Sequence, residues 1–179
     1  MAGVRDAGVL LSGKEPVVET QIARASYGWE YATKYIKAVH DPWDKYWHHD
    51  YKTWYARNQM VWVVKRGEDI SLKQVQSYPY ANSWKYGTQG RPWVVLPIYS
   101  CTDPTPPSRM PDDLERVVEV TYQVPKPVEK FQKKFSKNGY LYREWEYNYK
   151  VVVSGASFDL IVVSDGEEIS TEKILVDMA

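Results

Sequence analysis

From Glu19 to Val39 the apolar positions Ile22, Ala25, Trp29, Ala32, Ile36 and Val39 recur at three- and four-residue steps, the spacing of one helical face. Tyr27, Tyr31 and Tyr35 form a neighbouring stripe at strict four-residue steps. The pattern predicts a helix here, which Gly28 in its middle weakens by about 1 kcal/mol relative to alanine. Asp41-Pro42 then reads as a second start. The Asp carboxylate can accept from first-turn amides, and proline at the first helical position loses no hydrogen bond. Behind it Trp43, Trp47, Tyr51 and Trp54 or Tyr55 share a face, so a second helix is predicted over about 42–57, after a tight corner at His40.

Past Met60 the period shortens. Met60–Val64 reads as a short buried strand and Trp93–Tyr99 as another, pushed towards a sheet edge by Pro92 and Pro97. Between them residues 70–90, with Pro79, Gly87 and Gly90 among aromatic and polar residues, read as an ordered loop over apolar surface. Four prolines between Cys101 and Pro111 mark a surface connection. In the last third Val118, Val120, Tyr122 and Val124 alternate with polar residues, and so do Trp145, Tyr147, Tyr149, Val151 and Val153. Lys130–Lys137 reads as a basic turn or short helix. Gly155-Ala156 and Asp165-Gly166 then turn the chain into Phe158–Val163 and Lys173–Val176, an antiparallel meander. Residues 1–18 read as an N-terminal arm. The expected fold is α+β: two aromatic-rich helices, then a mainly antiparallel sheet of about six strands, open or partly closed into a barrel, in one domain over 1–179.

Composition narrows the function classes. Of 179 residues, 23 are Lys or Arg and 23 Asp or Glu, so the chain lacks the cationic excess that counterion release from nucleic acid requires. Nucleic acid is therefore not the expected main partner. No run of 18 apolar residues exists for a membrane span, and the first residues lack the apolar core of a secretory signal. Cys101 stands alone, which fits a reducing compartment, and the expected location is cytoplasmic or otherwise intracellular, or within a virion. The outlier is aromatic content: 8 Trp, 15 Tyr and 3 Phe.

The candidate chemistry gathers at His40, Asp41, Asp44, His48, His49 and Asp50. Imidazole and carboxylate are the ligands of zinc or iron sites, and His is the usual general base near neutral pH. A metal-binding helix spaces its histidines by four, and no such pair occurs, so no metal or cofactor is implied. Only Asp44 with His48 meets the four-residue step, which also describes an exposed helix pair, with Asp41 as a cap. Catalytic candidates are thus His48, His40 and Asp44. No G-x-S-x-G, phosphate loop or activated cysteine is present. Lys126, Lys130, Lys133, Lys134 and Lys137 precede Tyr140, Tyr142 and Arg143, but Glu129, Glu144 and Glu146 dilute this basic patch.

The aromatic surplus has three readings: core, ligand pocket or protein interface. Tyr78, Tyr80, Trp84, Tyr86 and Trp93 are the interface candidates. The leading expectation is a non-enzymatic, self-assembling structural subunit, of a virion coat, a matrix layer or a comparable assembly, with copies of itself as partners. Thr102–Pro107 (TDPTPP) is similar to the proline-rich recruitment motifs of viral matrix proteins. The alternative is a small-molecule-binding α+β cone. Two helices followed by an antiparallel sheet resemble, in element order, the cystatin-like folds that include small dehydratases and isomerases. That resemblance implies lyase or isomerase chemistry, with His48 or His40 and a nearby Asp moving a proton and Tyr147 or Tyr149 polarising a carbonyl.

Overall fold

The computed structural model describes residues 20–177, and over them the chain is nearly all β, 59% strand and 4% helical. Ten strands follow in order: β1 (Ser26–Lys34), β2 (Lys45–His48), β3 (Thr53–Val64), β4 (Gln74–Lys85), β5 (Trp93–Cys101), β6 (Glu115–Gln123), β7 (Gln132–Phe135), β8 (Leu141–Ser154), β9 (Ser157–Ser164) and β10 (Glu167–Leu175). They form two antiparallel sheets. The first has the order β2-β3-β1-β5-β6; the second runs β10-β9-β8-β4, with β7 also paired to β8. The residues read as an N-terminal arm lie outside the described region.

The expected α+β class is corrected: neither N-terminal helix forms. Residues 26–34 are β1, and 42–57 divide into a three-residue 3-10 turn (Pro42–Asp44), β2 and the start of β3. The reason is arithmetic. A four-residue step is two strand periods as well as roughly one helical turn, so Tyr27-Trp29-Tyr31 on alternate positions satisfies a strand equally well. Aromatic residues favour the pleated surface, and that tips the balance. The Asp41-Pro42 signal works locally, since Asp41 Oδ1 accepts from the Trp43 amide at 2.8 Å, yet the turn it caps ends after three residues. Residues 74–85, read as a loop, are the twelve-residue β4, and the basic stretch after Lys130 is β7. β4 ends its sheet, so Pro79 withholds an amide on an edge strand, where that is tolerated.

Gly28 is dictated by backbone approach. A Cβ there would lie 1.9 Å from the Val61 carbonyl oxygen, at an irregularity in the β1–β3 register. Gly28→Ala must therefore push the two strands apart, and a loss of about 2–3 kcal/mol is expected in urea denaturation followed by far-UV circular dichroism. An unchanged midpoint would show that the strands separate freely.

The sheets bury one shared core. Trp29, Val64, Ile98 and Val120 of the first sheet meet Trp145, Val151, Phe158 and Leu160 of the second. The hydroxyls of Tyr122 and Tyr149 are 2.5 Å apart across it. The Asp165-Gly166 turn between β9 and β10 has φ of 52° and 79°, the left-handed pair that a two-residue hairpin requires.

Two irregularities in the first sheet shape the rest of the molecule. β1 pairs with β5 only at Ser26–Gly28, opposite Tyr99–Cys101. Continuing that register would set Glu30 opposite Pro97, which has no amide to donate to β1, and beyond this point β1 and β5 part. The second is the proline-rich connection between β5 and β6, residues 102–114, which lies as a strap along β3. The Arg66 guanidinium donates to the Thr102 carbonyl, Trp62 Nε1 donates to the Pro107 carbonyl at 2.7 Å, and Gln59 and Arg109 form a β-bridge.

Candidate functional site

Where β1 and β5 part, a cleft opens between the sheets. Its first chamber holds about 480 Å³ and a second of about 450 Å³ continues it, sharing Tyr31, Tyr51, Tyr55 and Tyr80. One wall is the β2–β3 hairpin, which contributes Tyr46, His48, Tyr51 and Tyr55; the opposite wall is Tyr80 and Ser83 of β4 with Tyr147 of β8; Trp29 lies at the floor. The hairpin wall is one packed stack, with His48–Tyr51 ring centres 4.2 Å apart, His48–Tyr55 4.8 Å and Tyr51–Tyr55 5.4 Å. Its tip is anchored to the far sheet: Ser83 Oγ donates to Asp50 Oδ2 at 2.9 Å, and the Tyr51 and Tyr142 rings meet edge to face.

Burial tunes these groups towards neutrality. It lowers the pKa of His48, and the nearby Asp50 charge only partly offsets this. His48 Nδ1 accepts the Tyr51 amide at 3.3 Å, so the neutral ring carries its proton on Nε2. Burial raises Tyr46 and Tyr55 and, with the neighbouring Glu144, Tyr51; it pushes Tyr80 up to about 12 although Trp29 donates to its hydroxyl at 2.8 Å. The cleft therefore presents uncharged phenols that both donate and accept.

The family described as a domain of unknown function, DUF8568, matches residues 21–88. That stretch runs from before β1 to just beyond β4 and so includes the hairpin wall, the floor and one strand of the opposite wall. Comparison with curated proteins and with solved structures finds no significant match.

The three residues singled out for catalysis are not assembled together. His40 Nδ1 accepts the Ile36 amide at 2.9 Å and closes the turn after β1. Asp44 is wholly buried and accepts from Arg109 through Nε at 2.6 Å and Nη2 at 2.9 Å, from Asn58 at 2.8 Å and from Gln59 at 3.2 Å. It fastens the strap to the 3-10 turn and β3. His48 alone reaches the cleft, and His49 is exposed. Among the described residues no group of three or more His, Cys, Asp or Glu is placed to hold a metal ion. In the basic segment, Lys134 pairs with Glu144 and Glu146, while Lys126 and Lys133 lie over the rings of Phe131 and Tyr86.

The interface candidates separate into two groups. Tyr78 and Tyr80 face inward against Trp29, and Trp84 stacks on Phe131 at 5.7 Å. Tyr86 and Trp93 are exposed, Trp93 to 65%. Sequence reasoning missed Tyr46, Tyr51 and Tyr55 as a wall, having placed Tyr51 and Tyr55 on a helix. The available signal was density, with ten aromatic residues between Tyr27 and Tyr55. It also missed exposed Trp43, Trp47 and Trp54 as surface.

Proposed function

We propose that this protein is a non-enzymatic structural subunit that assembles with copies of itself, as in a virion coat, a matrix layer or a comparable cytoplasmic assembly. The observation that carries the reading is that four of the eight tryptophans, Trp43, Trp47, Trp54 and Trp93, are solvent-exposed. On β2 and β3, Trp47 and Trp54 alternate with the cleft residues Tyr46, His48 and Tyr55 and turn away from the cleft, meeting edge to face 5.2 Å apart. Ile36 and Val39 are exposed in the adjoining turn, and Trp43 is 84% exposed. On β5, Trp93 and Val95 alternate with Val94 and Leu96 of the cleft and are likewise exposed. Large apolar side chains left in water mark contact surfaces, and tryptophan is enriched at their centres. Both groups lie on the side of the first sheet that faces away from the cleft, where a second copy can cover them. No helix among the described residues is long and apolar enough to cross a membrane.

Light scattering across a wide concentration range tests this. The expected result is a particle mass that grows with concentration and falls when Trp47→Gln and Trp93→Gln are combined, with circular dichroism unchanged. A monomer at every concentration, or assemblies indifferent to both substitutions, would overturn it.

A further inference from the structure

The geometry points to the inter-sheet cleft as a binding site for a neutral, hydroxyl-rich ring compound, namely a saccharide of two or more units. Three observations carry this, and none depends on self-assembly. The first is shape: two chambers of about 480 and 450 Å³ share one set of walls, which makes a trench for an extended ligand. The second is the wall surface. The hairpin rings pack against one another at 4.2–5.4 Å and, with Tyr80, Tyr147 and Trp29 across the cleft, line it with aromatic surface. The C–H groups of a pyranose pack on aromatic surface with the apolar area burial that such contacts supply.

The third is polarity without charge. Among the described residues lining the first chamber the ionised side chain is Glu30, and its Oε1 accepts the Asn58 amide at 3.1 Å. Among the described residues no Lys or Arg lines that chamber, and Lys34, exposed at the end of β1, is the cation of the second. What remains are groups able to donate and accept together: the hydroxyls of Tyr46, Tyr55 and Tyr80 and the Asn82 amide, beside the Nε2–H of His48. Sugar hydroxyls also do both. An unbroken run of prolines would cover the same rings but has no backbone N–H to donate.

Titration of the intact protein with the soluble hexaoses of cellulose, chitin, xylan and amylose, read by tryptophan fluorescence and calorimetry, tests the assignment, with decaproline as the competing probe. At least one hexaose is expected to saturate. Tyr55→Ala should weaken it about tenfold through loss of the stacking ring, Tyr55→Phe about threefold through loss of one hydroxyl, and Trp93→Gln not at all. Tyr55→Phe keeps the ring and so separates ligand contact from damage to the fold, which circular dichroism monitors in each variant. Four silent hexaoses at millimolar concentration, saturation by decaproline alone, or binding unchanged in Tyr55→Ala would each overturn the assignment. Loss of assembly in the Trp47/Trp93 variant has no bearing on it.

Discussion

Trp29→Ala is expected to cost about 3–5 kcal/mol, enough to unfold a large share of a marginally stable domain. The side chain is fully buried and makes edge-to-face contacts with Tyr78 at 5.5 Å and Tyr149 at 5.4 Å. Truncation opens a cavity where the sheets meet and strips the Tyr80 hydroxyl of the indole N–H that it accepts. Trp29→Phe keeps most of the volume and loses the hydrogen bond, so its expected loss is smaller, about 1–2 kcal/mol. Urea denaturation by circular dichroism measures both. A loss under about 1 kcal/mol for the alanine variant would mean that the cleft floor collapses onto the gap.

Asp44→Ala comes next, with an expected loss of about 3 kcal/mol, because it removes the one acceptor that Arg109, Asn58 and Gln59 share. Its signature is in the pH dependence. The Arg109 guanidinium beside Asp44, helped by Asn58 and Gln59, holds the carboxyl below its ordinary 3.8 despite burial. A carboxyl with a depressed folded-state pKa contributes stability in full above the unfolded-state value and loses it as pH falls through the folded-state one. The stability gap between the native protein and Asp44→Asn should therefore be constant from about pH 5 to 7 and narrow below about pH 4. A gap that stays constant down to pH 2 would show that Asp44 carries no charge worth losing.

The C-terminal half of this fold could be read from the chain because its period was unambiguous. In Trp145-Glu146-Tyr147-Asn148-Tyr149 every second residue is polar, and no helical face fits that alternation. The N-terminal half misled because its aromatics recur at a step common to both periods. Two local facts pointed to strands: Gly28 within an apolar stretch, the mark of close backbone approach, and the aromatic enrichment itself. Pro79 with Gly87 and Gly90 reads as loop composition, whereas here the proline marks an edge strand. The pairing of β1 with β5 across some seventy residues, which decides where the cleft opens, leaves no local trace. His40 and Asp44 drew attention through chemical type alone; long-range partners such as Arg109, 65 residues away, decide that Asp44 is structural.

The outermost strands bear on how copies of this protein can meet. β4 carries Pro79 at its middle, β10 carries Glu167, Glu168, Glu172 and Lys173, and β3 past the end of four-residue β2 is covered by the strap. Each is a device that denies an incoming chain a free ladder of amides and carbonyls. Growth by strand addition, the route to amyloid-like fibrils, is thereby disfavoured at these edges, and β6, the outer strand at the other side of the first sheet, carries Glu115, Arg116 and Glu119. The proposed association through tryptophan faces would bury side chains and leave the backbone ladders intact, so such assemblies should dissolve back into folded subunits on dilution and bind no cross-β dye.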